Sequence, residues 1–100
     1  MKATIDGVVV ADAPESDLIS IEGSYYFPPS SLNAESFSNS ATAYNCPWKG
    51  DAQYHDVSAS GSTHHDAAWS YPEPYPASFD RVGHDYSGYV AFDKKQVTVS

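Results

Sequence analysis

The chain has 100 residues, five basic against thirteen acidic side chains for a formal charge of −8, and a single cysteine. Its one arginine, Arg81, and the lack of any basic stripe leave nothing to grip a phosphate backbone, so nucleic acid and anionic membrane surfaces are not expected partners. One cysteine excludes an internal disulfide, and no run approaches the ~20 apolar residues that span a bilayer.

One hundred residues make one domain, 1–100. At 10.8 kDa the folded surface should be about 5,500 Å², which leaves room for a small core. The opening Met1-Lys2-Ala3-Thr4-Ile5-Asp6 lacks the apolar core of a signal peptide, so a cytoplasmic setting is expected. Ala3 to Asp6 and Gly7 to Ala11 read as two strands joined at an Asp-Gly pair, a strong hairpin signal. Leu18 to Glu22 alternates as a strand, and Tyr25 to Phe27 is a second β-prone run stopped by Pro28-Pro29. Ser30 to Phe37 is weakly helical, and Ser38 to Thr42, small and polar, reads as loop.

Gln53 to Ser58 alternates, Ser60-Gly61-Ser62 turns the chain, and Thr63 to Trp69 returns as the hairpin partner. Pro72, Pro74 and Pro76 shape a loop over Tyr71 to Ala77, with Tyr71-Pro72 and Tyr75-Pro76 as candidate cis bonds. Ser78 to Arg81 predicts one helical turn, and Arg81 is expected to pair with Asp80 on the surface. Tyr86 to Phe92 and Gln96 to Val99 are predicted as a last hairpin, turning at Asp93-Lys94. Short strands at this spacing predict a mainly β fold, a small curved two-sheet or open-barrel domain with one or two helical turns.

The scarce residues cluster. Cys46-Pro47-Trp48-Lys49-Gly50-Asp51 and Asp66-Ala67-Ala68-Trp69-Ser70-Tyr71-Pro72 hold both tryptophans and the cysteine. Tyr26-Phe27-Pro28, Cys46-Pro47-Trp48-Lys49-Gly50 with Ala52 and Tyr54, Ala68-Trp69 with Tyr71-Pro72 and Pro74, and Gly88-Tyr89-Val90-Ala91-Phe92 follow in an order that resembles the domain-of-unknown-function family numbered 427, across nearly the whole chain. The resemblance implies a β-tent fold, the curved architecture shared with the ligand-binding domain of cereblon and with methionine sulfoxide reductase B. Relatives of that fold hold zinc through paired Cys-x-x-Cys motifs, which a chain with one cysteine cannot supply. A nucleotidyltransferase-like label attached to the family finds no support in these residues. The chain has neither a Gly-Ser followed by paired carboxylates nor a glycine-rich phosphate loop. The family usually carries tyrosine after the phenylalanine at 92, where this chain has Asp93.

Trp48, Trp69, Tyr54 and Tyr71 are the expected walls of an aromatic pocket, since prolines beside both tryptophans put the rings at strand ends and loops. The plain alternative is an aromatic core. Lys49 would bind an anionic group, or lose hydration under the indoles and drop its pKa. Cys46 is a candidate nucleophile activated by Lys49, or simply a small buried side chain. Asp51, Asp66 and Glu73 flank the aromatic runs and are candidate acid and base for glycoside hydrolysis, which needs two carboxylates about 5–5.5 Å or about 6.5–9.5 Å apart. His64 and His65 should face opposite ways on a strand, and no histidine spacing matches a zinc pattern, so no metal and no cofactor are expected. The leading expectation is a small ligand-binding domain for a sugar or an anionic metabolite. The competing readings are a glycosidase-like hydrolase and a homodimer with an aromatic interface.

Overall fold

The computed structural model describes residues 1–100 and is mainly β. The strands are β1 (Lys2–Ile5), β2 (Val8–Asp12), β3 (Ile19–Ile21), β4 (Ser24–Tyr26), β5 (Phe37–Cys46), β6 (Gly50–Ala59), β7 (Ser62–Ser70), β8 (Val90–Phe92) and β9 (Thr98–Val99), with one helix, α1 (Pro76–Val82). They form three sheets, ordered β2-β1-β9, β3-β4 and β5-β6-β7-β8, and none closes into a barrel. The accessible surface is 5479 Å², in line with the size scaling. No helix is long and apolar enough to cross a membrane.

Three hairpins share one turn chemistry. Asp6-Gly7, Glu22-Gly23 and Ser60-Gly61 each link strands in a two-residue loop, with Ile5 facing Val8, Ile21 facing Ser24 and Ala59 facing Ser62. Both residues of each loop have positive φ, the geometry whose twist matches the flanking strands. Glycine takes the second position freely, and Asp6, Glu22 and Ser60 accept the left-handed region at the first.

The four-stranded sheet separates two cores. On one side Val57, Ala59, Ala68 and Phe92 pack against Ala3, Ile5, Val10 and Ala11 of the β2-β1-β9 sheet. On the other, Cys46, Tyr71 and Ala91 pack with Ile19, Ile21 and Tyr26 of the β3-β4 hairpin and with Phe79 and Val82 of α1. Paired backbone bonds between Phe27 and Val90, 2.8 and 2.9 Å, clamp the end of β4 to β8.

Several predicted elements are corrected. Ser38 to Thr42 is strand rather than loop. Its small polar residues fill a bulge, since three residues of β5 (Ser40, Ala41, Thr42) lie between the pairs Asn39–His55 and Ala43–Gln53 where β6 has only Tyr54. The last hairpin does not form: β8 pairs with β7 and β9 crosses to β1. Asp93 redirects the chain. Its carbonyl accepts from the Gln96 and Val97 N–H groups, and its carboxylate accepts from the Lys95 N–H and the Gln96 amide. Only Val90 to Phe92 of the predicted Tyr86–Phe92 run is strand. Both candidate cis bonds are trans. Arg81 makes no ion pair with Asp80 and lies instead against Trp48. The predicted helical turn extends to Pro76–Val82, with proline opening it and Gly83 closing it in the left-handed region.

Candidate functional site

The turn after β5 sets the site. Cys46 pairs with Gly50 at the base of the β5-β6 hairpin, and Pro47, Trp48 and Lys49 form the turn between them. Gly50 has φ +113, and a Cβ there would meet the Glu73 carbonyl at 3.4 Å and the Tyr75 ring at 3.6 Å. The glycine therefore lets the proline loop close over the turn. The Tyr75 N–H completes the closure by donating to the Lys49 carbonyl at 2.9 Å.

Lys49 is only 5% exposed. Its ammonium pairs with Glu22, at the tip of the β3-β4 hairpin, whose side chain is 59% exposed. It also lies 4.6 Å from the Trp48 ring centre and 5.3 Å from that of Tyr71. Burial pulls the ammonium's pKa down, but the Glu22 hydrogen bond and the neighbouring Tyr26 and Cys46 outweigh it, and the group sits above the ordinary lysine value. The expectation of a lowered lysine pKa is therefore corrected: the ion pair removes the basis for it, and Lys49 is a fixed cation.

The ammonium lies at one side of a hollow of about 290 Å³ lined by Glu22, Tyr26, Lys49, Tyr54, Trp69 and Tyr71, with Tyr44 exposed at its rim. Tyr54 and Trp69 face each other across β6 and β7, with rings 6.2 Å apart and tilted by 45°. The Trp69 indole N–H donates to the Tyr26 hydroxyl at 3.0 Å. Burial raises the pKa of the Tyr26, Tyr54 and Tyr71 hydroxyls, so all three are neutral donors at physiological pH. Four other depressions are larger: about 400 Å³ around Tyr25 and Lys94, about 420 Å³ around Asp17, His84 and Asp85, about 350 Å³ around Glu73 and Tyr75, and about 450 Å³ around Thr42, Tyr44 and Asn45. None combines convergent aromatic rings with a buried charge, which is the combination that gives a small-molecule site its grip and orientation.

Lys49, Tyr54, Trp69 and Tyr71 thus meet in one hollow. Trp48 does not line it; its indole lies behind Lys49, with the Arg81 guanidinium 4.2 Å from the ring centre. Cys46 is buried in the neighbouring core, 5% exposed. Burial pushes its thiol up, but the backbone N–H groups of Trp48 and Lys49 and the Lys49 ammonium bring it below the ordinary value. Glu22, Tyr26, Tyr44 and Ile21 are lining residues that reading the chain did not assign to the hollow. The signal for Glu22 was its place before a glycine between two β-prone runs, a hairpin tip.

The candidate carboxylates separate. Asp51 and Glu73 line another depression, of about 350 Å³, with Pro72 and Tyr75, and the Asn45 amide donates to Asp51 at 2.9 Å. Asp66 lies level with Asp56, five positions from Asp51, roughly 16 Å along β6 at about 3.3 Å per residue. That is too far for an acid–base pair with Asp51. Asp66 sits in a β7 bulge with φ 51, where the Thr42 hydroxyl donates to it at 2.6 Å. Burial raises its pKa, but bonds from Ser40 and Thr42 outweigh this and hold it below the usual range.

Asp56, His65 and Asp66 form the one cluster with metal-ligating geometry, their ligand atoms all within 4.8 Å of one another. The His65 ring already faces Asp56 at 2.8 Å through Nδ1 and Asp66 at 3.3 Å through Nε2, so both ring nitrogens are turned toward carboxylates of the cluster itself. His64 points elsewhere, to Asp6 at 2.8 Å.

No curated protein matches the chain. The profile of the family described as a domain of unknown function, DUF427, matches residues 1–100. With the match running over the whole chain, the Cys-Pro-Trp-Lys-Gly turn included, the chain belongs to the DUF427 family.

Proposed function

We propose that this domain binds a small molecule bearing a flat ring in the hollow between the β3-β4 hairpin and the four-stranded sheet. The observation that carries the reading is the convergence of Tyr54, Trp69, Tyr71 and the buried Lys49 ammonium on one space of about 290 Å³. That volume lies at the lower edge of the about 300–1,000 Å³ usual for small-molecule sites, so one ring system fits and a dinucleotide does not. The rings supply stacking surface, and the neutral Tyr26, Tyr54 and Tyr71 hydroxyls supply orienting hydrogen bonds. Thermal-shift screening of sugars and aromatic metabolites against wild type, Tyr54→Ala and Trp69→Phe tests the reading. Ligands should stabilise wild type and lose most of that effect in both variants. A library that stabilises none of the three proteins, or all three equally, contradicts it.

A second reading, glycoside hydrolysis, is favoured by Asp51 and Glu73 lining one depression with Tyr75. It requires one carboxyl to protonate the leaving oxygen while the other attacks or activates water. Nitrophenyl glycoside turnover that disappears in Asp51→Asn and in Glu73→Gln supports it. Rates equal to buffer in wild type dismiss it.

A further inference from the structure

Lys49 and Glu22 form an uneven pair. The ammonium is almost wholly enclosed, whereas the carboxylate that neutralises it comes from the exposed tip of a two-stranded hairpin. A buried ammonium needs an anion beside it, because leaving it unpaired is costly. An exposed carboxylate gains little from the same contact, being well solvated in the alternative. When another carboxylate takes over the pairing with Lys49, Glu22 can therefore swing into solvent by side-chain rotation alone, while the hairpin stays clamped through Phe27–Val90 and the Lys94 ammonium bound to the Gly23 carbonyl at 2.8 Å.

The geometry points to Glu22 as a built-in occupant of the ligand's anion position, so that the hollow takes small ring carboxylates whose carboxylate replaces that of Glu22 on Lys49. This rests on the reading of the hollow as a binding site. Both partners of the pair line the hollow, together with Tyr54, Trp69 and Tyr71. A carboxylate on Lys49 thus leaves its attached ring among the aromatic walls, where stacking holds it. A cationic ligand is disfavoured, since the Lys49 ammonium already lies against the Trp48 and Tyr71 rings and repels a second positive charge. Displacement also makes Glu22 a competitor: apparent affinity falls by the fraction of molecules in which Lys49 is free of it.

The test uses benzoate, its neutral isostere benzamide and benzylammonium, each titrated by nuclear magnetic resonance into wild type, Glu22→Gln and Lys49→Met. Benzoate should bind Glu22→Gln about tenfold more tightly than wild type, as for a competitor that leaves Lys49 free in about one molecule in ten. In Lys49→Met, benzoate should bind no more tightly than benzamide, while benzamide should bind wild type and Glu22→Gln alike. In wild type, benzoate but not benzamide should shift the Glu22 carboxyl carbon signal, a reading independent of whether the variants fold. If benzoate and benzamide bind among Tyr54, Trp69 and Tyr71 but benzoate affinity is equal in wild type and Glu22→Gln, displacement is wrong and the pocket stands. Tightest binding by benzylammonium overturns the ligand class. If no probe binds any of the three proteins, the pocket reading and the displacement fall together.

Discussion

The Trp69 indole N–H donates to the Tyr26 hydroxyl at 3.0 Å, a side-chain bond that joins the β3-β4 hairpin to the four-stranded sheet across the candidate site. Tyr26 is 2% exposed. Tyr26→Phe removes the acceptor and keeps the ring, leaving the N–H without a protein partner. The expected loss is about 1–2 kcal/mol. Urea unfolding of Tyr26→Phe, Trp69→Phe and the double variant measures it. A double-variant loss equal to the sum of the single losses contradicts a coupled pair.

Trp48 supports the site from behind, with Lys49 and Arg81 cations 4.6 and 4.2 Å from its ring centre. Trp48→Ala should cost about 2–3 kcal/mol, less than a fully buried tryptophan because the ring is only partly enclosed. Arg81→Ala should cost about 0.5–1 kcal/mol in wild type, and nothing in the Trp48→Ala background. Thermal unfolding of the three variants decides the matter; an equal Arg81→Ala loss in both backgrounds contradicts the stacking.

At position 49, the length of the side chain and its charge can be tested separately. Lys49→Met keeps an extended chain against Trp48 and Tyr71 and removes the need for an anion, so stability should stay within about 1 kcal/mol of wild type. Lys49→Ala opens a gap and should lose about 2–3 kcal/mol. Denaturant midpoints that rank the two variants the other way would show the charge, not the packing, stabilising the turn.

His55 gives a pH signature. Its ring is half-buried and bonded to the Ser70 hydroxyl at 2.9 Å. Burial holds its pKa below the ordinary 6.5, against the opposing pull of Asp56. The unfolded chain therefore takes up this proton first. The stabilising contribution is complete above about pH 6.5 and is lost as pH falls through the lower folded value. The stability gap between wild type and His55→Gln should shrink as pH drops from 7.5 to 5. A gap that stays constant or widens on acidification contradicts the burial.

Much of this molecule could be read from the chain. The Asp6-Gly7 and Ser60-Gly61 turns carried the first and central hairpins because a two-residue loop with positive φ has a narrow residue code. Trp69 and Tyr71 could be grouped with Tyr54 because the prolines beside the tryptophan segments put aromatic rings near strand ends and loops. The unread parts depend on non-local pairing. Nothing near Gln96 to Val99 says that it joins β1 at the far end of the chain rather than β8. Polar Ser38 to Thr42 resembles a loop, because a bulge and a loop have the same local composition. Glu22 meets Lys49 only after the β3-β4 hairpin folds over the sheet, so neither residue's neighbours in sequence announce the pair.

The most direct measurement maps binding onto residues. Amide and indole signals of ¹⁵N-labelled protein, followed while ring-bearing metabolites are added, report which surface each compound touches. The account predicts that binding compounds shift the Trp69 indole N–H together with the Lys49, Tyr54 and Tyr71 amides. Shifts confined to the depression around Tyr25 and Lys94, with the Trp69 indole signal unmoved at saturation, would contradict it.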